Sequence, residues 1–307
     1  MSDRARHIKL PALGILLLIL ADACSPDRQA LTAPEVPPAS SAVAAPSAVT
    51  AAGGVCDFDP AENVLTGPGW TKVFEDGFSG ELSQWTIWNG GAFNEELQLY
   101  QPSNLATANG LLSISARKET ATGPTTPFDP TPRTFSWTSG RIESKSHFSA
   151  SRTTPRVRLS ARLKLPGGYG MWPAFWSYGD PWPTQGEIDV MEGRGQEPYQ
   201  YQTAYWFGRR PGKNLVSNSA TVVSSVVSLT DCWHVYEVIW SKNDLTFLFD
   251  GQVVNSRSGD YIPSMYGKKE RITLNLAVGG LFFGSYDPAA IQRGSFQVDW
   301  VKAFTAR

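Results

Sequence analysis

Gly186-Glu187-Ile188-Asp189-Val190-Met191-Glu192-Gly193 carries three carboxylates within six residues of a stretch that otherwise reads as a β-strand. Side chains alternate faces along a strand, so Glu187 and Asp189 point the same way and Met191 would be next. Glu192 falls out of phase. One extra residue bulging near Val190 or Met191 returns Glu192 to the face of Glu187 and Asp189. The two glutamates then lie about four strand steps apart, or ~13 Å between Cα atoms, and converging side chains shorten the gap between carboxyls. Nearby Trp172-Pro173-Ala174-Phe175-Trp176 and Trp206 are aromatic, which favours a cleft over a solvated acidic edge.

Upstream, Arg4, Arg6 and Lys9 precede an apolar run from Leu10 to Leu20, followed by the small residues Ala21 and Ala23. That pattern predicts a secretory signal over 1–23. The run is too short to span a bilayer, which takes about 20 residues. Leu20-Ala21-Asp22-Ala23-Cys24 resembles the end of a bacterial lipoprotein signal, with Asp22 out of pattern. Two outcomes follow: a lipid on Cys24 tethering the protein to a membrane surface, or ordinary cleavage after Ala21-x-Ala23 giving a secreted or periplasmic product. With Cys24 set aside, Cys56 and Cys232 form an even pair in an oxidising compartment, so a bridge is expected.

Residues 24–54 are rich in Ala, Pro and Ser and contain no aromatic side chain, the composition of a flexible tether. Residues 55–307 fit one large all-β domain. Leu111–Ala116, Arg271–Val278 and Phe296–Phe304 read as strands. Val157, Leu159, Ala161 and Leu163 alternate with Arg158, Ser160 and Arg162, predicting one buried and one wet face. Asp250-Gly251 between apolar runs predicts a hairpin. No window supports an amphipathic helix of ten or more residues, so two packed antiparallel sheets are the natural architecture.

Formal net charge is −1 for the 307 residues. That balance offers nothing to nucleic acid, which draws on basic patches. His147 and His234 lack metal-ligand spacing, no G-x-S-x-G elbow occurs, and the loop glycines do not lead into a helix as a phosphate cradle would. What remains is a carboxylate cluster among aromatic side chains. That combination belongs to carbohydrate chemistry, where sugar faces stack on Trp and carboxyls move protons. Retaining glycosidases hold their two carboxyls about 5–5.5 Å apart.

Several ordered motifs between about Trp70 and Thr305 carry a family likeness. They are Asn94-Glu95-Glu96-Leu97-Gln98, Thr138-Ser139-Gly140-Arg141-Ile142, Ala161-Arg162-Leu163-Lys164-Leu165-Pro166, Met171 to Trp176, Gly186 to Glu192, Leu274 to Gly280 and Val298-Asp299-Trp300-Val301. The chain resembles family sixteen of the glycoside hydrolases, and within it the laminarinase-like β-glucanases. The resemblance implies a concanavalin-like β-jelly-roll with a concave polysaccharide cleft. It implies Glu187 as nucleophile, Glu192 as acid/base and Asp189 as their hydrogen-bonding partner, in a double displacement. The extra residue in Glu187-Ile188-Asp189-Val190-Met191-Glu192 matches the bulged subgroup that includes laminarinases.

By the same resemblance Trp172 and Trp176 line the sugar cleft, with a core role for Trp176 as the alternative. Asn94 and Arg141 hold sugar hydroxyls or make structural hydrogen bonds. Tyr205 stands where laminarinases usually carry a histidine, and Leu281-Phe282-Phe283 replaces a common Trp-Pro pair. Arg156-Val157-Arg158-Leu159-Ser160 replaces a Tyr-Gly-x-Phe-Glu run. No cofactor is required. Many relatives hold a structural calcium: Asp299 fits its late ligand, whereas Gly77 occupies the place of the early acidic one. The expected activity is endo-hydrolysis of β-1,3 or mixed β-1,3/1,4 glucan by a monomer. The alternatives are an agar- or carrageenan-like galactan hydrolase on the same scaffold and a non-catalytic glucan-binding protein.

Overall fold

The computed structural model describes residues 49–50, 55–67, 69–211 and 213–307. The signal-like segment, Cys24 and all of the expected tether except Val49–Thr50 lie outside the described residues. Val49–Thr50 pair in parallel with Val223 and Ser224.

The alternating segments found in the sequence form two large sheets. The inner one runs Lys213–Ser224, Gln200–Arg210, Glu187–Gly193, Met171–Tyr178, Arg271–Val278, Arg141–Ser144, Trp85–Ile87. The outer one runs Gln252–Ser258, Asp244–Phe249, His234–Trp240, Arg156–Lys164, Gly294–Ala306, Leu111–Ala116, Leu105–Ala108, and Trp70–Asp76 adds a further antiparallel partner to Gly294–Ala306. Every pairing within these two sheets that joins the strands just named is antiparallel, as the jelly-roll expectation requires. Among the described residues helix is confined to short pieces, the longest being Glu62–Thr66.

Apolar side chains from the facing sides meet in one core. Ile188, Val190 and Met191 of the inner sheet join Leu159, Val238, Phe247 and Phe296 of the outer one, all fully or almost fully buried. The predicted hairpin is present, with Phe249 paired to Gln252 and positive φ at both Asp250 and Gly251. Asp250 also caps the turn from inside: its carboxylate accepts from the Val235 amide and bonds the His234 ring, both at less than 3 Å.

One feature departs from the simple alternation. Arg158 and Ser160, expected on a wet face, are buried. Both donate to Glu237, and Arg158 also reaches the Leu65 carbonyl at 3.1 Å, because the segment around Glu62–Thr66 folds over that face. Cys56 and Cys232 are bridged, with Cα atoms 5.0 Å apart across a separation of 176 residues. The bridge ties that N-terminal segment to the start of His234–Trp240.

Candidate active site

The decisive irregularity lies where the acidic strand demanded it. Glu187 pairs with Trp206 and Asp189 with Ala204, but the next partners are Glu192 and Gln202. On the other side, Trp176 faces Asp189, whereas Phe175 faces Met191. The register shifts against both neighbours between Asp189 and Glu192. Val190 and Met191 therefore both enter the core, and Glu192 rejoins Glu187 and Asp189 on the concave face.

Each carboxylate of the trio accepts an indole N–H. Trp182 donates to Glu187 Oε2 at 2.7 Å, Trp206 to Asp189 Oδ2 at 3.0 Å, and Trp172 to Glu192 Oε1 at 3.0 Å. Gln202 adds a second donor to Glu192, at 3.2 Å to Oε2. Tryptophan supplies a donor and no acceptor, so these contacts orient the carboxyls without competing for their protons.

Burial raises the pKa of all three groups, since a low-dielectric site penalises charge. Glu187 is pushed up to about 8, with the Trp182 bond and the Arg141 charge pulling against burial and the nearby Glu192 adding to it. Asp189, 4% exposed, rises well above the usual range because burial is reinforced by Glu187 and Glu192 on either side. Glu192 rises through burial, opposed by Gln202, Trp172 and Arg194. Three such carboxyls cannot all be charged, and the trio titrates as a unit. Asp189, the most enclosed member and the one with both other carboxyls raising it, is the natural holder of a proton.

Trp172 lies beside Glu192, but one face of its indole is covered by Phe282, stacked at 4.4 Å and 9°. Arg194 sits 3.9 Å over the same phenyl ring and donates to the Phe282 carbonyl. Trp176 is half-buried on the concave face, stacked on Tyr178 and anchored by its N–H to Asn275 Oδ1 at 2.7 Å. Asn94 has positive φ, and its backbone carbonyl accepts from the Leu281 amide at 2.8 Å, tying the Leu281–Phe283 turn to the Asn94 segment.

Of the two readings open for Arg141 the structure shows structural hydrogen bonds, and the expectation for Tyr205 is corrected. Arg141 is 6% exposed and donates to Glu143 and Tyr178, while its guanidinium lies 4.0 Å from the Trp88 ring and 4.8 Å from that of Trp176. Its Nε and Nη2 are engaged in a buried ion network that Arg271 shares, and its charge pulls the Glu187 pKa down. Tyr205 pairs with Ile188 and is buried in the core at 1% exposure, its hydroxyl 3.4 Å from Asp260. It belongs to the opposite face from the trio. The concave positions on that strand are Gln202 and Trp206. Trp182 and Gln202 escaped the sequence reading. Trp182 sits in a loop without periodicity, but counting faces back from Trp206 would have found Gln202.

At Asp299 the carboxylate is bonded to Arg162. Among the described residues no group of three or more His, Cys, Asp or Glu side chains converges.

A jelly-roll whose concave sheet carries indole-anchored carboxylates in a bulged strand defines a class, the carbohydrate-active sandwiches. The sequence profile of Glycosyl hydrolases family 16 matches residues 93–302, and the chain belongs to that family. It is 31% identical over 269 residues to a glucan endo-1,3-beta-glucosidase of Cryptopygus antarcticus, covering 77% of this chain and 92% of that protein. A glucan endo-1,3-beta-glucosidase A1 of Niallia circulans is 30% identical over 77% of this chain, which spans only 38% of that relative. Among solved structures, an endo-beta-1,3-glucanase from Pyrococcus furiosus superposes with a TM-score of 0.65 at 30% identity, covering 78% of this chain and 95% of that one.

Proposed function

We propose that the protein is an exported endo-β-1,3-glucanase that cleaves with net retention. The observation that carries this reading is the trio itself, three carboxylates on one concave face, each fixed by an indole N–H. Ionised Glu187 attacks the anomeric carbon from below the sugar ring. The bond to the leaving oxygen breaks as Glu192 gives up its proton, and a glycosyl ester forms on Glu187. In the second half, Glu192 takes a proton from water, the oxygen attacks the anomeric carbon, and the ester breaks to restore both groups. Asp189 keeps its proton between them and lets Glu187 carry the charge.

Export is supported by the leader-like residues 1–23 and by the Cys56–Cys232 bridge, a bond suited to an oxidising compartment. A lipid on Cys24 predicts that Cys24→Ser releases the protein from the membrane fraction, and an unchanged distribution rejects it.

The galactan alternative has less to stand on, because Arg194, the cation nearest Glu192 along the strand, is engaged by Phe282. The non-catalytic alternative conflicts with the presence of all three carboxylates. The test is a screen of purified protein on laminarin, lichenan, agarose and carrageenan, with the anomeric configuration of first-formed product read by proton NMR. Laminarin cleaved to the β-anomer supports the proposal. Preference for a galactan, or no hydrolysis of any substrate, overturns it.

A further inference from the structure

From the acidic strand Glu187–Gly193, the inner sheet continues through Met171–Tyr178, Arg271–Val278 and Arg141–Ser144 to Trp85–Ile87 at its edge. Four strand spacings of about 4.8 Å make this a span of ~19 Å, room for several sugar units. An aromatic and guanidinium row follows that path on the concave face. The Trp176 ring lies against Arg141, and Arg141 lies against Trp88, which follows the edge strand. Trp88 itself is only 7% exposed, so it cannot serve as an open platform.

Its cover is a hairpin, Ala121–Thr126 with Asp129–Phe135, which belongs to neither large sheet. Phe128 at the hairpin tip meets Trp88 edge to face, with centroids 5.8 Å apart at 85°. The hairpin is fixed rather than loosely draped. Gly91 donates its amide to the Pro124 carbonyl, and the approach is so close that a Cβ on Gly91 would lie 2.4 Å from the Thr125 carbonyl oxygen. Thr126, beside the tip, and Phe135, at the open end of the hairpin, are buried. Inside the tip, the Thr126 hydroxyl accepts from the amides of Phe128 and Asp129.

Phe128 is 55% exposed on a rigid support, where a polar residue would serve the turn equally well. An aromatic face held open at the end of a row leading from the carboxylate trio suits the apolar face of a pyranose ring. We propose that Phe128 is a remote sugar-binding platform at the sheet-edge end of the cleft, taking a neutral glucosyl unit of the same chain that Glu187 and Glu192 cleave. The inference rests on the β-glucanase reading. It makes the enzyme sensitive to chain length: short oligosaccharides occupy the trio without touching Phe128, and long chains reach it.

The test compares wild type, Phe128→Ala and Phe128→Trp on laminari-oligosaccharides from the trisaccharide to the octasaccharide. Loss of one aromatic stack corresponds to about a fivefold fall in kcat/KM. Phe128→Ala should show that fall on the longest substrates and none on the shortest, with an unchanged thermal midpoint, and Phe128→Trp should recover the wild-type profile. Equal loss at every length, or no loss at any, overturns the platform while leaving the β-glucanase reading intact. A wild type that cleaves none of these substrates overturns that reading and the platform with it.

Discussion

Trp172 gives its indole N–H to Glu192 Oε1 at 3.0 Å, while Phe282 covers one face of the same indole, stacked 4.4 Å away. The residue expected to bind sugar thus also aims the proposed acid/base. A hydrogen bond to the ionised form favours ionisation, so the Trp172 contact restrains the rise that burial imposes on Glu192. Trp172→Phe removes the donor and keeps the stack. The alkaline limb of the kcat/KM profile should move to higher pH, with kcat down about tenfold, the scale of one charge-assisted hydrogen bond. An unmoved limb would separate Trp172 from the proton that matters.

At the other end of the trio the sign has the opposite consequence. In the proposed mechanism Glu187 is ionised when it attacks, and Trp182 is a donor that favours its charged form. Trp182→Phe should raise the Glu187 pKa further and shift the acidic limb upward. Activity should fall about tenfold below the optimum and less above it. A pH–rate profile measured with an activated aryl glycoside checks this, because the good leaving group removes the demand on Glu192.

Glu270 offers a test of stability rather than turnover. It is 1% exposed, Ser177 donates to Oε2 at 2.6 Å, and Oε1 has no partner. Burial holds its pKa well above the ordinary range. The folded state therefore keeps a proton that the unfolded chain releases at ordinary carboxylate pKa. Stability from this group is fully present below that value and is lost as pH rises toward the folded pKa. Glu270→Gln retains the acceptor for Ser177 and cannot ionise. Its thermal midpoint should match wild type near pH 4 and exceed it increasingly toward pH 8. A constant offset across that range would contradict the argument.

The two faces of Gln200–Arg210 can be told apart by mutation. Trp206→Phe removes the donor to Asp189 and should lower kcat about tenfold with the fold intact. Tyr205→Phe sits on the core side and should leave KM for laminarin within about twofold, because no sugar reaches it. Steady-state kinetics on both variants decide between this assignment and the one suggested by position alone.

Much of this arrangement was legible in the chain because alternation is a local property. The phase slip of Glu192 predicted the register shift now seen on both sides of the acidic strand. The Asp250-Gly251 turn and the pairing of Cys56 with Cys232 were readable for similar reasons, one from backbone sterics and the other from cysteine parity. Tyr205 misled because a family position was given priority over the face count, which runs Gln202, Ala204, Trp206 on the concave side. Arg141 was ambiguous because its partners, Glu143 apart, come from distant segments: Tyr178 and Trp88 meet it only after the sheet forms. Trp182 carried no signal, since a loop between two strands has no period to place it. The cover over Arg158 was equally hidden, because it depends on where the Glu62–Thr66 segment folds.

In the proposed double displacement Glu187 attacks the anomeric carbon and Glu192, on the same concave sheet face, protonates the leaving oxygen from the other side of the bond. The most direct measurement is mass spectrometry of the protein after reaction with a 2-deoxy-2-fluoro laminaribiosyl donor bearing an activated leaving group, followed by peptide mapping. The account predicts one glycosyl adduct per chain, located on Glu187 and absent from Glu187→Gln. An adduct on Glu192 or Asp189, or turnover of natural substrate with inversion and no adduct, would contradict it.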